Sequence, residues 1–130
     1  MENGTITPSS LNSLAWAYNE VGDDRALEVA RKALRLNPES GYVLDTLGWI
    51  LIKRGYVREG IANLQYASKL LPENGEIKYH LATALFYVGE HGLARTTLEN
   101  ITATEPGPKL SAEIKSLRKK ISEAETEARL

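Results

Sequence analysis

Cysteine is absent from the 130 residues. That excludes disulfides, thiol catalysis and zinc–thiolate sites, and it fits either a reducing or an oxidising compartment. An excess of one charge is missing too: 16 basic residues face 17 acidic ones, for a formal net charge of -1. Such a balance supplies no field for nucleic acid or an anionic membrane as main partner. No apolar run exceeds a few residues, so no direct membrane insertion is expected. The start, MENGTITPSS, has neither the basic flank nor the apolar run of a signal peptide. Histidine occurs only as His80 and His91, with no paired ligand motif. There is no glycine-rich phosphate loop and no serine in a nucleophile setting. No enzyme, cofactor or metal site is therefore expected. Asp23-Asp24 reads as turn and cap chemistry rather than a ligand pair, and Arg118-Lys119-Lys120 as a solvated helix face.

What is present begins with Gly41 to Pro72. Hydrophobic residues make up 42% of the chain, enough for one domain with a real core. Leu44, Leu47, Gly48 and Leu51 share one helical face, and Gly60, Leu64, Ala67 and Leu70 share another. Glycine inside a helix costs about 1 kcal/mol relative to alanine. Gly48 and Gly60 therefore point to two helices in close approach, folded back around Gly55.

The stretch repeats. Pro38, Pro72 and Pro106 recur every 34 residues, and Gly22, Gly55 and Gly89 recur at 33 and 34. A fixed period in this range marks a helical solenoid. The spacing predicts helices near 9–21, 25–36, 41–53, 58–70, 75–88, 92–103 and 109–128. The three prolines stop helices, while Asp24 and Asn74 are expected N-caps. The last helix carries a narrow stripe of Leu110, Ile114, Leu117, Ile121 and Ala124, which suits a solvating cap or a coiled-coil or partner-binding helix.

The repeats fit the tetratricopeptide pattern W-x2-L-G-x2-Y, A-x3-F, P. The first reads Leu11-x2-Leu14-Ala15-x2-Tyr18, Ala26-x3-Ala30, Pro38. The second reads Leu44-x2-Leu47-Gly48-x2-Leu51, Gly60-x3-Leu64, Pro72. The third reads Lys78-x2-Leu81-Ala82-x2-Leu85, Ala94-x3-Leu98, Pro106. Small residues pair at each hairpin contact: Ala15 with Ala26, Gly48 with Gly60, Ala82 with Ala94. The chain thus resembles the tetratricopeptide repeat (TPR) family over residues 9–106. Two features depart from the pattern. The first inter-helix turn is one residue short, which should tilt its second helix, and Lys78 stands where a large apolar residue is usual.

The resemblance implies an all-α, right-handed α-α superhelix of three hairpins plus a C-terminal capping helix. It divides the chain into a disordered or linker N-terminus (1–8), repeats near 9–40, 41–74 and 75–108, and a solvating helix (109–130). It also implies a concave groove lined by the first helix of each repeat. Asn12, Trp16 and Asn19 would contribute from the first repeat. Tyr42, Asp45, Trp49 and Lys53 would come from the second, and Glu76, Tyr79, His80, Thr83 and Tyr87 from the third. Aromatic residues with polar neighbours suit a binding hot spot, though the two tryptophans could equally be buried between helices. The cationic clamp of chaperone-adaptor TPR domains is missing, because Asn12, Trp16, Thr46, Glu76 and His80 occupy its places.

The segments LNSLAW, VLDTLGWILIKRG and IKYHLATAL look like the C-terminal repeats of large bacterial TPR proteins, including TPR lipoproteins of exopolysaccharide and PEP-CTERM export systems. That likeness implies a piece of a longer periplasmic or envelope scaffold. The leading expectation is a non-enzymatic scaffold that binds a protein, peptide or helix in its groove. The alternatives are carbohydrate binding on Trp16, Trp49 and Tyr79, and self-assembly, such as a homodimer, through the uncapped first repeat.

Overall fold

Three glycines with positive φ, Gly22 (71°), Gly55 (91°) and Gly89 (82°), turn the chain back on itself. The computed structural model describes residues 6–101 and 107–129. Among the described residues there are seven helices and no strand: α1 (Pro8–Glu20), α2 (Arg25–Leu36), α3 (Gly41–Lys53), α4 (Val57–Leu70), α5 (Gly75–Tyr87), α6 (His91–Glu99) and α7 (Pro108–Ala128). Each glycine closes the first helix of a hairpin in the same way. The amide after it bonds back to Tyr18 O (2.8 Å), Leu51 O (2.9 Å) or Leu85 O (2.9 Å), and the glycine amide bonds to Asn19, Ile52 or Phe86. This left-handed cap satisfies carbonyls that the helix end would otherwise orphan.

The starts are capped by side chains. Thr7 and Ser10 form a reciprocal capping box ahead of α1, with Pro8 at the first helical position. Ser40 Oγ accepts the Val43 amide at 3.2 Å, and Asn74 Oδ1 accepts the Ile77 amide at 3.0 Å. Asn74 thus caps as expected, whereas the cap assigned to Asp24 is corrected. Asp24 makes no side-chain cap bond, and its neighbour Asp23 accepts the Arg25 amide at 2.9 Å. The missing residue of the first repeat is also taken up differently. α2 starts one residue before Ala26, while α4 and α6 start three residues before Gly60 and Ala94. The deletion trims the helix, not the turn.

The chain forms two compact units, one ending at Leu70 and one starting at Leu71. In the first, α3 is the central element, packed against α1, α2 and α4 and buried over most of its surface. A helix as apolar all round as this one belongs in an interior. Leu47, Ile50 and Leu51 close a core with Ala15, Ala26 and Ala30, while Val43 joins Leu11 and Ala33. Gly48 and Gly60 bring α3 and α4 together: a Cβ on either would stand within 3.0 Å of the other's carbonyl oxygen. Leu14 behaves differently from its counterparts. It is 40% exposed, against 1% for Leu47 and 8% for Leu81. Among the described residues of this unit, no helix lies on α1 in the way α2 lies on α3.

In the second unit α7 packs on both α5 and α6. Its stripe faces inward: Ile114, Leu117 and Ile121 are buried, with Leu110 and Ala124 half-buried at its ends. Arg95 on α6 donates to Glu125 on α7. Lys78, in place of an apolar residue, reaches the end of α6, where its Nζ donates to the Asn100 carbonyl at 3.0 Å. A cation at a helix C-terminus offsets part of the lost packing through the helix dipole. α6 ends at Glu99, short of the expected 103, and Pro106 lies outside the described residues.

Candidate functional site

In the first unit, α1 packs beside α3. Asn12, Trp16 and Asn19 recur at helical spacing on α1, and Tyr42, Asp45, Trp49 and Lys53 do so on α3, so each set shares a face. Both tryptophans are half-buried, between the two readings the sequence left open. Lys53 Nζ stands 4.8 Å above the Trp49 ring, a cation–π contact that holds the ammonium over the indole. Tyr42 is 59% exposed and marks the other end of the α3 face. Asn12 Oδ1 is buried and has no hydrogen-bond donor among the described residues. A buried acceptor without a donor is unfavourable.

A charged cleft of about 490 Å³ adjoins Lys53, lined by Asn19, Glu20, Gly22, Asp23, Asp24 and Arg54 as well. It neutralises itself. Arg25 grips Asp23 through Nε at 3.1 Å and Nη2 at 2.7 Å, and Arg54 Nη2 lies 3.7 Å from Asp24 Oδ1. The bonds from the Arg25 side chain, then its backbone amide, lower the Asp23 pKa to about 2. Sequence reasoning missed this cleft, because Asp23-Asp24 read as a turn and nothing local placed Arg54 opposite it.

In the second unit, Glu76, Tyr79, His80, Thr83 and Tyr87 lie along α5 at helical spacing. Glu76 is exposed, and so is Tyr87, at 60%. Tyr79 is half-buried, and burial is the main reason its phenol pKa is raised. Phe86 contacts both Tyr87 (centroids 6.3 Å apart) and His91 (5.2 Å), an aromatic cluster at the α5–α6 turn that sequence reasoning had only partly assembled.

Three of the expected groove contacts are not open. Asp45, His80 and Thr83 are buried. The short side chain of Thr83 turns back on its own helix, Oγ1 donating to the Tyr79 carbonyl at 2.9 Å. The open or half-open surface therefore belongs to Asn12, Trp16, Asn19, Tyr42, Trp49 and Lys53 in one unit, and to Glu76, Tyr79 and Tyr87 in the other. Among the described residues no group of three or more metal-ligating side chains converges. No described helix is long and apolar enough to cross a membrane.

No protein-family profile matches the chain, and no curated relative matches it. Solved structures do. The type III secretion chaperone SycD of Yersinia enterocolitica, in complex with a peptide of the translocator YopD, superposes with a TM-score of 0.78 at 21% identity, over 90% of this chain and 93% of that one. An arginine-to-glutamate mutant of MamA matches with a TM-score of 0.66 at 24% identity, over 77% of this chain and 74% of that one. An aspartate-to-lysine mutant of MamA matches with 0.66 at 19% identity, over 97% and 74%. Likeness at these identities establishes the fold: the chain has the tetratricopeptide-type, all-α helical-repeat fold that its sequence implied.

Proposed function

We propose that the chain is a non-enzymatic protein-interaction module that takes an extended peptide or helix against the first-helix faces of its repeats. The observation that carries this reading is the α1–α3 surface. α1 carries half-buried Trp16 and the unmet buried acceptor of Asn12, and α3, packed beside it, carries half-buried Trp49 with Lys53 held over its ring. Aromatic anchors with polar neighbours are the features of a binding hot spot. The likeness to SycD, crystallised with a peptide of YopD, supports the same class of ligand. Neither the carbohydrate reading nor an exopolysaccharide or envelope role gains support from these neighbours.

Affinity capture from the source organism with the wild type and a Trp49→Ala, Lys53→Glu variant, side by side, tests the proposal. The expected result is a partner held by the wild type and lost by the variant, with both proteins melting cooperatively. Identical capture by the two would remove this surface from the binding function.

A second reading has its own observation. Leu14 on α1 is 40% exposed where its repeat counterpart on α3, Leu47, is buried, and Val21, which caps the end of α1, is 78% exposed. Another copy could seat there. Light scattering at high concentration, with wild type and Leu14→Gln, decides it: a monomeric mass for the wild type ends the self-assembly reading.

A further inference from the structure

A second cleft, of about 440 Å³, lies between α6 and α7 and shares no residue with the surface above. Its floor is apolar: Leu98 and Ile114 are buried and Ile101 is half-buried. Its rim carries Lys115 and Arg118, both exposed. No carboxylate among the described residues pairs with either. The helix itself cannot neutralise them. The positions three and four residues away from Lys115 are Ser111, Ala112, Arg118 and Lys119, and those around Arg118 are Ile114, Lys115, Ile121 and Ser122. Like charges at these spacings repel. Among the described residues, the ion pair of α7 lies elsewhere, at Glu125 with Arg95.

From this arrangement we infer that the α6–α7 cleft is a docking site for an acidic peptide segment, which seats one apolar side chain on Leu98, Ile101 and Ile114 and sets carboxylates against Lys115 and Arg118. The volume falls near the lower end of ligand pockets, which suits a side chain or two rather than a large organic ligand. Charge complementarity selects an acidic partner, and the apolar floor adds the anchor that charge alone lacks. A membrane surface fits less well. α7 carries five cations but also four carboxylates, and three of these (Glu123, Glu125 and Glu127) fill its last two turns, whereas anionic lipid is met by clusters of basic residues.

The test uses the full chain and a fluorescein-labelled, end-blocked hexapeptide of alternating glutamate and leucine, followed by anisotropy at low salt. Saturable binding is expected, weakened about tenfold by Lys115→Glu with Arg118→Glu, since two exposed charge contacts supply roughly that much. The peptide with glutamine for glutamate, and the one with alanine for leucine, should bind correspondingly less. Tyr56→Ala, at an exposed residue outside both surfaces, should leave the affinity unchanged. If the charge-reversed protein melts early, Lys115→Gln with Arg118→Gln replaces it with the same expectation. Equal affinity for the glutamine peptide, an unchanged affinity in both variants, or no saturation at millimolar protein would each overturn the inference. So would binding to phosphatidylglycerol vesicles without binding to the peptide.

Discussion

A Cβ added to Gly60 would stand 2.7 Å from the carbonyl oxygen of Gly48, and one added to Gly48 would stand 3.0 Å from that of Gly60. The other two hairpins hold buried alanine pairs at these places, Ala15 with Ala26 and Ala82 with Ala94. Their methyl groups need room that the α3–α4 contact does not leave. Helix propensity alone would make alanine better than glycine by about 1 kcal/mol, but overpacking against backbone opposes that gain by about 1–3 kcal/mol. Gly60→Ala and Gly48→Ala should therefore each destabilise the protein, Gly60→Ala more, because its added methyl would stand closer to rigid backbone, 2.7 Å against 3.0 Å. Urea denaturation measures this, and a gain in stability at either site would show that α3 and α4 can separate freely.

The same pair of residues shows what a sequence can announce. Gly48 and Gly60 stand out because their helical positions make them locally unfavourable, and Gly22, Gly55 and Gly89 because they recur at 33 and 34 residues, where the left-handed caps they form tolerate little else. These are local demands, so the helix spans of α2 and α3 were readable to the residue. Depth was not. Period assigns Asp45 and Trp49 to one face of α3, yet Asp45 is buried and Trp49 half-exposed, because burial depends on what other elements lay over the face. The Ser40 cap of α3 is of a residue type that caps helices, but nothing in the repeat spacing singles it out.

Leu14 carries the contrast furthest. It occupies the repeat position of Leu47 but is 40% exposed rather than 1%. Leu47→Ala should cost about 2–5 kcal/mol, as buried leucines do. Leu14→Gln, near the surface regime, should stay within about 1 kcal/mol of wild type. Thermal melts of the two variants compare them directly. A Leu14→Gln loss as large as that of Leu47→Ala would mean that something covers α1 in solution.

Asp23 supplies a pH dependence with a definite sign. Its pKa falls from 3.8 to about 2 because Arg25 donates to it from side chain and backbone. A group depressed in the folded state adds stability above its unfolded pKa and loses it as pH falls through the folded one. The Asp23 contribution should therefore be complete above about pH 4 and vanish between there and pH 2. Arg25→Gln should move the Asp23 carboxyl titration, followed by NMR, back toward 3.8. A midpoint that stays near 2 in the variant would assign the shift to some other group.

Tyr42 and Tyr87 give the binding proposal its cleanest measurement. They are 59% and 60% exposed, one in each unit, so truncation removes little packing. Surface substitutions of this kind change stability by about 0.5 kcal/mol or less, while an aromatic anchor in an interface is worth about 2 kcal/mol or more when truncated. Tyr42→Ala and Tyr87→Ala should thus melt with the wild type yet bind the captured partner at least tenfold more weakly. Calorimetry on each variant separates the two units. A loss confined to Tyr42→Ala would restrict the site to the α1–α3 surface with Trp16 and Trp49, and unchanged affinity in both would remove the exposed aromatics from recognition altogether.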